Sequence, residues 1–177
     1  MTPQTNTIPE GDILRRYLST QWQRAFGLNV SFLNELLFIG GQFRPEQWPK
    51  LHKLGIRAVL SLQAEHEDTF IGEPPQRTLR LLVPDFYPPS IEQLHHAVTF
   101  IRTAHTDRMP VMIHCHAGIG RAPLTTAAYL MISGIGVEHA LAMIQYARPI
   151  IALNDVQLAR LFEWQQVIQQ HNATSNP

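Results

Sequence analysis

One cysteine, and an arginine six positions after it, frame the segment that could do chemistry. Residues 114–123 are His-Cys-His-Ala-Gly-Ile-Gly-Arg-Ala-Pro, and Cys115 is the only cysteine in the chain. An apolar run precedes Cys115, and a helix-forming stretch follows Arg121. A loop between a strand and a helix, relieved by glycines, can point successive N–H groups inward, and the helix dipole adds positive potential there. The segment therefore predicts a cradle for an anion with several oxygens.

Each part of this loop has an expected role in phosphate chemistry. The electropositive cradle favours the thiolate form of Cys115. A thiolate facing a bound phosphate can attack the phosphorus in line and form a cysteinyl-phosphate. Arg121 carries a planar guanidinium that can hold two phosphate oxygens at once. The cradle itself is expected from His116, Ala117, Gly118, Ile119 and Gly120.

Expulsion of an alkoxide or phenoxide needs a proton donor. Asp85 is the candidate, because it follows an apolar strand and begins the proline-stiffened segment Asp-Phe-Tyr-Pro-Pro. Ligand sites of α/β proteins assemble at the carboxyl ends of strands, where such a loop would lie. The alternative is an aspartate that only forms a turn. Asp68 and Glu65, in the polar segment before this strand, are the next candidates.

The elements that must position these groups alternate between strands and helices. This pattern predicts an α/β fold with a mostly parallel central sheet of about five strands flanked by helices. Predicted strands cover 30–33, 36–39, 56–62, 78–83 and 111–114, the first two forming a hairpin. Predicted helices begin at Asp12, Pro45 and Ser90 and cover about 121–133, 137–147 and 154–170, with Asp12, Ser90 and Asn154 as caps.

The length of 177 residues fits a single catalytic domain with a short N-terminal addition. Residues 1–28 are predicted to form an arm and a helix, and residues 29–171 the catalytic domain. Apolar residues recur at helical spacing after Asp12, which favours a helix packed on the domain. Arg15, Arg16 and Arg24 leave open an amphipathic membrane anchor.

Composition excludes several other classes of protein. Fourteen basic and fourteen acidic residues balance, which argues against nonspecific nucleic-acid binding. No apolar run approaches the ~18 residues of a membrane span, and no secretion signal is evident. We therefore expect a cytoplasmic protein without stable membrane insertion. The pairs His114/His116 and His95/His96 lack metal-ligand spacing, so we expect neither a metal nor another cofactor.

The His-Cys-x5-Arg stretch resembles the signature of cysteine-dependent protein phosphatases, and the size of the chain resembles their atypical dual-specificity group. The resemblance extends over roughly residues 30–165, including the Ile-Gly-Gly at 39–41 and the Val-Pro-Asp at 83–85. It implies that Cys115 is the nucleophile, Arg121 the phosphate clamp and Asp85 the general acid. It further implies that His114 supports the loop, and that Gln157 positions the hydrolytic water. The alternative for Gln157 is a solvated helix residue.

One position departs from the family pattern. Most relatives have Ser or Thr after the signature arginine, where the hydroxyl helps the thiolate leave, and this chain has Ala122. The departure argues against fast turnover and leaves the reaction type unchanged. The Arg-Ala-Pro sequence is similar to that of plant glucan phosphatases, although the chain has no recognisable carbohydrate-binding module.

These observations favour a dual-specificity protein phosphatase that hydrolyses phosphotyrosine and phosphoserine/threonine in a phosphorylated protein. Phosphoglucan and phosphoinositide are alternative substrates, the latter ranked lower because the loop has no lysine to hold a polyphosphorylated head group. A non-catalytic phosphate-recognition module would normally lack the nucleophile or the acid. Arsenate reduction usually needs further cysteines, which this chain does not have.

Overall fold

A computed structural model describes residues 10–174 of the chain. Its strands are β1 (Val30–Asn34), β2 (Leu37–Gly40), β3 (Ala58–Gln63), β4 (Arg77–Val83) and β5 (Val111–His114). Its helices are α1 (Glu10–Phe26), α2 (Trp48–Lys53), α3 (Ile91–Thr106), α4 (Arg121–Met131), α5 (Val137–Ala147) and α6 (Asp155–Thr174), and a 3₁₀ turn at Pro45–Gln47 leads into α2.

The five strands form one sheet in the order β1-β2-β5-β3-β4. β1 pairs with β2 in antiparallel fashion, and the remaining neighbours are parallel. At the centre, His114 is in register with Gly40 of β2 and Ser61 of β3, so the end of β5 lies between two neighbouring strand ends. The predicted α/β fold is confirmed.

Alternating side chains of the sheet contribute to two apolar clusters. Ile39, Leu60 and Ile113 belong to the larger cluster, which α3, α4, α5 and α6 cover. Their neighbours on the strands belong to a smaller cluster with Trp48 and Phe43. Because both faces are covered, the central strands are almost wholly buried, as is usual for parallel sheets.

The structure confirms two of the three helix caps that the sequence predicts. The Ser90 hydroxyl accepts the N–H of Gln93 at the start of α3, and Asn154 Oδ1 accepts the N–H of Gln157 at the start of α6. The assignment of Asp12 as a cap is wrong. α1 begins earlier, at Glu10, and the Asp12 carboxylate instead accepts from Arg16 Nε at 2.9 Å one turn along the helix.

The prediction that α1 packs its apolar stripe on the domain is also wrong. Thr20 is the buried residue of this helix, whereas Leu14, Leu18, Trp22 and Phe26 are exposed. Polar contacts hold the helix: Arg16 lies over the ring of Tyr146, 4.0 Å from its centroid, and donates to its hydroxyl at 2.9 Å. Helical spacing identified an apolar stripe but gave no information about which side faces the domain. No helix in residues 10–174 has the length and apolar character to cross a membrane.

Candidate active site

The predicted anion loop connects the buried end of β5 to the first turn of α4. Cys115 follows β5 directly and is only 3% exposed. The Gly118 N–H donates to Cys115 Sγ at 3.3 Å, so the loop closes around the sulfur. Gly118 has a φ of +70°, a conformation that favours glycine. At Gly118 the loop therefore turns its N–H towards the sulfur.

The glycine pair after β2 forms the wall behind this loop. A Cβ at Gly118 would lie 2.4 Å from the carbonyl oxygen of Gly40, and one at Gly41 would lie 2.8 Å from that of His116. The Gln42 N–H donates to the same His116 carbonyl at 2.9 Å. Backbone packed this closely leaves no room for side chains, which explains the Ile-Gly-Gly sequence at the end of β2.

Arg148, which is not among the predicted site residues, holds the anion loop. Its buried guanidinium donates to the carbonyl oxygens of Gly118 and Ala117, at 2.5 and 3.1 Å. It also donates to Asn29 Oδ1 at 2.6 Å and to Ser31 Oγ at 3.2 Å. Burial lowers the pKa of Arg148 to about 10, partly offset by the charge of Cys115. By holding two loop carbonyls from behind, Arg148 favours the orientation in which the loop N–H groups face the anion.

Arg121 lies beside the loop with its guanidinium already engaged. Glu65 accepts from it twice, at 2.9 Å (Nη1) and 2.6 Å (Nη2), and Asp85 Oδ1 lies 2.8 Å from Nη2. Burial alone would lower the pKa of Arg121, but the hydrogen bond that it donates to Glu65 and the charges of Cys115 and Asp85 raise it. The same hydrogen bond lowers the pKa of Glu65 to about 2. Glu65 therefore orients the arginine, a role that its place in a polar segment did not suggest.

The structure brings Asp85 to the same point from β4. Its carboxylate is about half exposed and pairs with Arg121, while Oδ1 accepts the N–H of Phe86 at 3.1 Å. Phe86 has a φ of +64°, and its side chain extends into solvent, 74% exposed. The segment 85–89, the acid loop, thus places the Asp85 carboxylate beside Arg121.

His114 and Asp68 form a hydrogen-bonded pair beside the site. His114 Nε2 lies 2.8 Å from Asp68 Oδ2, and both side chains are largely buried. The ring of His114 also packs against Phe43, with centroids 5.3 Å apart. Asp68, a runner-up for the acid, is therefore turned away from Arg121 and towards the residue before Cys115.

Gln157 is buried, so its interpretation as a solvated helix residue is wrong. It is 3% exposed, and its Oε1 accepts the N–H of Asn154 at 3.3 Å. A Cβ at Gly120 would lie 2.7 Å from this Oε1. The carboxamide of Gln157 therefore rests against the last glycine of the anion loop.

A metal ion has no evident site among the described residues, which contain no group of three or more His, Cys, Asp or Glu suited to one. His95 packs edge-on against Trp164, with centroids 4.6 Å apart. His116 lies 3.2 Å from Gln42 Oε1 through its Nδ1. These histidines are thus engaged in packing and polar contacts.

A fold and loop of this kind define a cysteine-dependent phosphatase, and comparison with known proteins agrees. The family model for the dual specificity phosphatase catalytic domain matches residues 37–167. The chain therefore belongs to the dual specificity phosphatase family, as the resemblance of its signature predicted.

Among individual proteins, the chain is 30% identical over 138 residues to human dual specificity protein phosphatase 12, covering 76% of this chain and 39% of that protein. It is 28% identical over 127 residues to dual specificity protein phosphatase Mpk3 of Drosophila melanogaster, covering 71% and 31%. The chain thus spans about a third to two fifths of the length of these curated relatives.

Solved structures share the fold. The crystal structure of PTPMT1 in complex with PI(5)P superposes with a TM-score of 0.74 at 23% identity, covering 81% of this chain and 99% of that chain. The active form of Tk-PTP superposes with a TM-score of 0.68 at 24% identity, covering 78% and 97%.

Proposed function

We propose that the chain hydrolyses phosphomonoesters through a cysteinyl-phosphate intermediate and acts as a dual-specificity protein phosphatase. One observation carries this proposal: the thiol and the guanidinium of the loop after β5 meet a carboxylate from the segment after β4. The Gly118 N–H donates to Cys115 Sγ, and Asp85 pairs with Arg121 at 2.8 Å. Family membership supports the same reaction class.

In the first half-reaction the Cys115 thiolate attacks the phosphorus, and a sulfur–phosphorus bond forms as the bond to the leaving oxygen breaks. Asp85 donates its proton to that oxygen, so the product leaves as an alcohol or phenol. The loop N–H groups and Arg121 stabilise the charge on the three other oxygens.

In the second half-reaction water attacks the cysteinyl-phosphate. Asp85, now a carboxylate, accepts a proton from that water as the new phosphorus–oxygen bond forms. Cys115 leaves as the thiolate, and inorganic phosphate is released. We assign the orientation of this water to Gln157, and the closeness of its carboxamide to Gly120 of the anion loop supports that assignment.

The assigned substrate is a protein carrying phosphotyrosine or phosphoserine/threonine. We further propose that residues 29–171 form the catalytic domain and that residues 1–28 are an addition to it. Residues 1–9 of that arm lie outside the described part of the chain. A cytoplasmic location fits this chemistry, because the catalytic thiol must stay reduced.

Release of phosphate from matched phosphotyrosine and phosphoserine peptides tests the proposal, with soluble phosphoglucan and phosphoinositide vesicles as parallel substrates. We expect turnover of both peptides and its loss in Cys115→Ser, since a serine hydroxyl does not ionise in this loop. Faster turnover of phosphoglucan or phosphoinositide than of either peptide would mean that this compound, rather than a phosphorylated protein, is the substrate. Retention of most of the kcat by Cys115→Ser would overturn the covalent mechanism.

A further inference from the structure

One side chain joins the acid loop to the start of α6. Asn154 Nδ2 donates to the carbonyl oxygen of Phe86 at 2.8 Å, although the two residues are 68 positions apart. Phe86 has a left-handed φ of +64°, and its exposed ring does not hold it there. Such conformations persist only where the surroundings impose them. The bond from Asn154 is thus a tether that reaches Phe86 from outside the acid loop.

The orientation of the Asn154 amide is itself fixed. Its Oδ1 accepts the N–H of Gln157 at 3.0 Å, and the Asn154 N–H donates to Gln157 Oε1 at 3.3 Å. This reciprocal pair is a capping box. Because the oxygen of the amide is committed to the helix, its nitrogen must point towards Phe86.

The tether ends on the candidate acid. Phe86 follows Asp85 directly, and its N–H donates to Asp85 Oδ1 at 3.1 Å. The same oxygen lies 2.8 Å from Arg121 Nη2. A shift of Phe86 would therefore also move the Asp85 carboxylate relative to Arg121 and the anion loop.

We propose that Asn154 is a positioning residue for the proton transfer by Asp85. It acts through the backbone of Phe86 and makes no contact with the reacting atoms. The inference rests on the proposed function, in which Asp85 is the general acid. It assigns to the α5–α6 connection a role in catalysis beyond starting a helix.

Two substitutions separate the tether from the cap. Asn154→Ser and Asn154→Asp both keep an oxygen that can cap α6, and both lose the N–H donor to Phe86. We expect kcat/KM for phenyl phosphate to fall roughly tenfold or more, and that for para-nitrophenyl phosphate to fall less than about threefold. The nitrophenol leaves with little help from an acid, so a misplaced Asp85 matters less for that substrate.

A double-substitution experiment connects the effect to Asp85. In an Asp85→Asn background, Asn154→Ser is expected to leave the ratio of the two kcat/KM values unchanged, because there is no proton transfer left to misplace. The thermal unfolding midpoint of each variant checks that α6 stays folded.

Three results would overturn the positioning role: equal losses on both substrates, a loss seen only in the charged Asn154→Asp, or a further change of the ratio in the Asp85→Asn background. A failure of the proposed function looks different. In that case Asp85→Asn itself would show no dependence on the leaving group, whatever Asn154 does.

Discussion

At the scale of single residues, the site is organised by how Arg121 uses its donors. Nη1 faces Glu65 and two backbone carbonyls, of Leu62 and Val83, while Nη2 faces Glu65 and Asp85. Nε is buried and has no partner among the described residues. On the proposed function, a phosphate held by Arg121 through two oxygens would use Nε together with Nη2, and it would have to displace Asp85 from Nη2. Glu65 keeps its hold on the other edge of the guanidinium.

The Glu65–Arg121 pair gives a prediction for acid stability. Its hydrogen bond with Arg121 lowers the pKa of Glu65 from 4.5 to about 2, so the ionised form stabilises the fold. That contribution is complete above the unfolded pKa and is lost as the pH falls through about 2. The unfolding free energy of wild type should exceed that of Glu65→Gln by about 1 kcal/mol at pH 7, after allowance for solvent screening of this half-exposed carboxylate.

Urea unfolding of both proteins from pH 7 down to pH 3 measures that difference. We expect it to be constant above about pH 5 and to narrow as the pH falls below the ordinary carboxyl range. A difference that stays the same down to pH 3 would mean that Glu65 contributes packing rather than charge.

Ala122 gives a prediction for turnover. It is fully buried at the start of α4, one residue after Arg121, and supplies no hydroxyl to the sulfur of Cys115. Ala122→Ser should add a donor that stabilises the departing thiolate, and so speed hydrolysis of the intermediate several-fold. Rapid-mixing kinetics with para-nitrophenyl phosphate would then show a smaller initial burst and a faster steady rate. An unchanged steady rate would place the slow step elsewhere.

At the scale of elements, the anion loop is held by segments distant in sequence. Arg148, at the end of α5, joins the carbonyls of Ala117 and Gly118 to Asn29 and Ser31, the latter on β1. The acceptors of this buried cation are all neutral oxygens. The cation is thus available to compensate negative charge at Cys115 and in a bound phosphate.

Arg148→Met should consequently loosen the loop. It leaves two loop carbonyls without their donor, while removing the cost of a buried charge, so we expect a net loss of about 1–3 kcal/mol in unfolding free energy. Affinity for inorganic phosphate should fall tenfold or more, measured by competitive inhibition. Arg102→Met, which removes an exposed arginine from α3, is the matched control and should change neither quantity. Equal effects of the two variants would mean that Arg148 acts only through its positive charge and not through its contacts with the loop.

Local patterns account for what the sequence predicted. The strands, the glycine loop and the caps at Ser90 and Asn154 each lie within a few consecutive residues, where spacing carries information. The residues that contact the loop are distant from it in sequence. Glu65 and Arg121 are 56 positions apart, and Arg148 and Gly118 are 30 apart. Such contacts depend on how strands and helices are arranged in space, which leaves no spacing signal. At Arg148 the sequence shows only an arginine before a proline, and its burial is visible in the structure alone.

At the scale of the whole molecule, two parts of the chain use apolar residues differently. Leu161 of α6 is fully buried in the larger cluster, beside Trp164. Leu18 of α1 is exposed, and that helix is attached through Arg16 and Tyr146. The stability of the fold therefore resides in the sheet and the helices that cover it, with α1 as an appendage.

Two identical truncations test this division. Leu161→Ala should lower the unfolding free energy by about 2–5 kcal/mol, because it removes buried methyl groups and leaves a cavity. Leu18→Ala should change it by less than about 0.5 kcal/mol, as is usual for a solvent-facing site. Urea unfolding of the full chain, repeated at two protein concentrations, measures both. A loss above about 1.5 kcal/mol for Leu18→Ala that grows with protein concentration would show that a second copy covers α1. A similar loss at both concentrations would show that the domain itself buries Leu18.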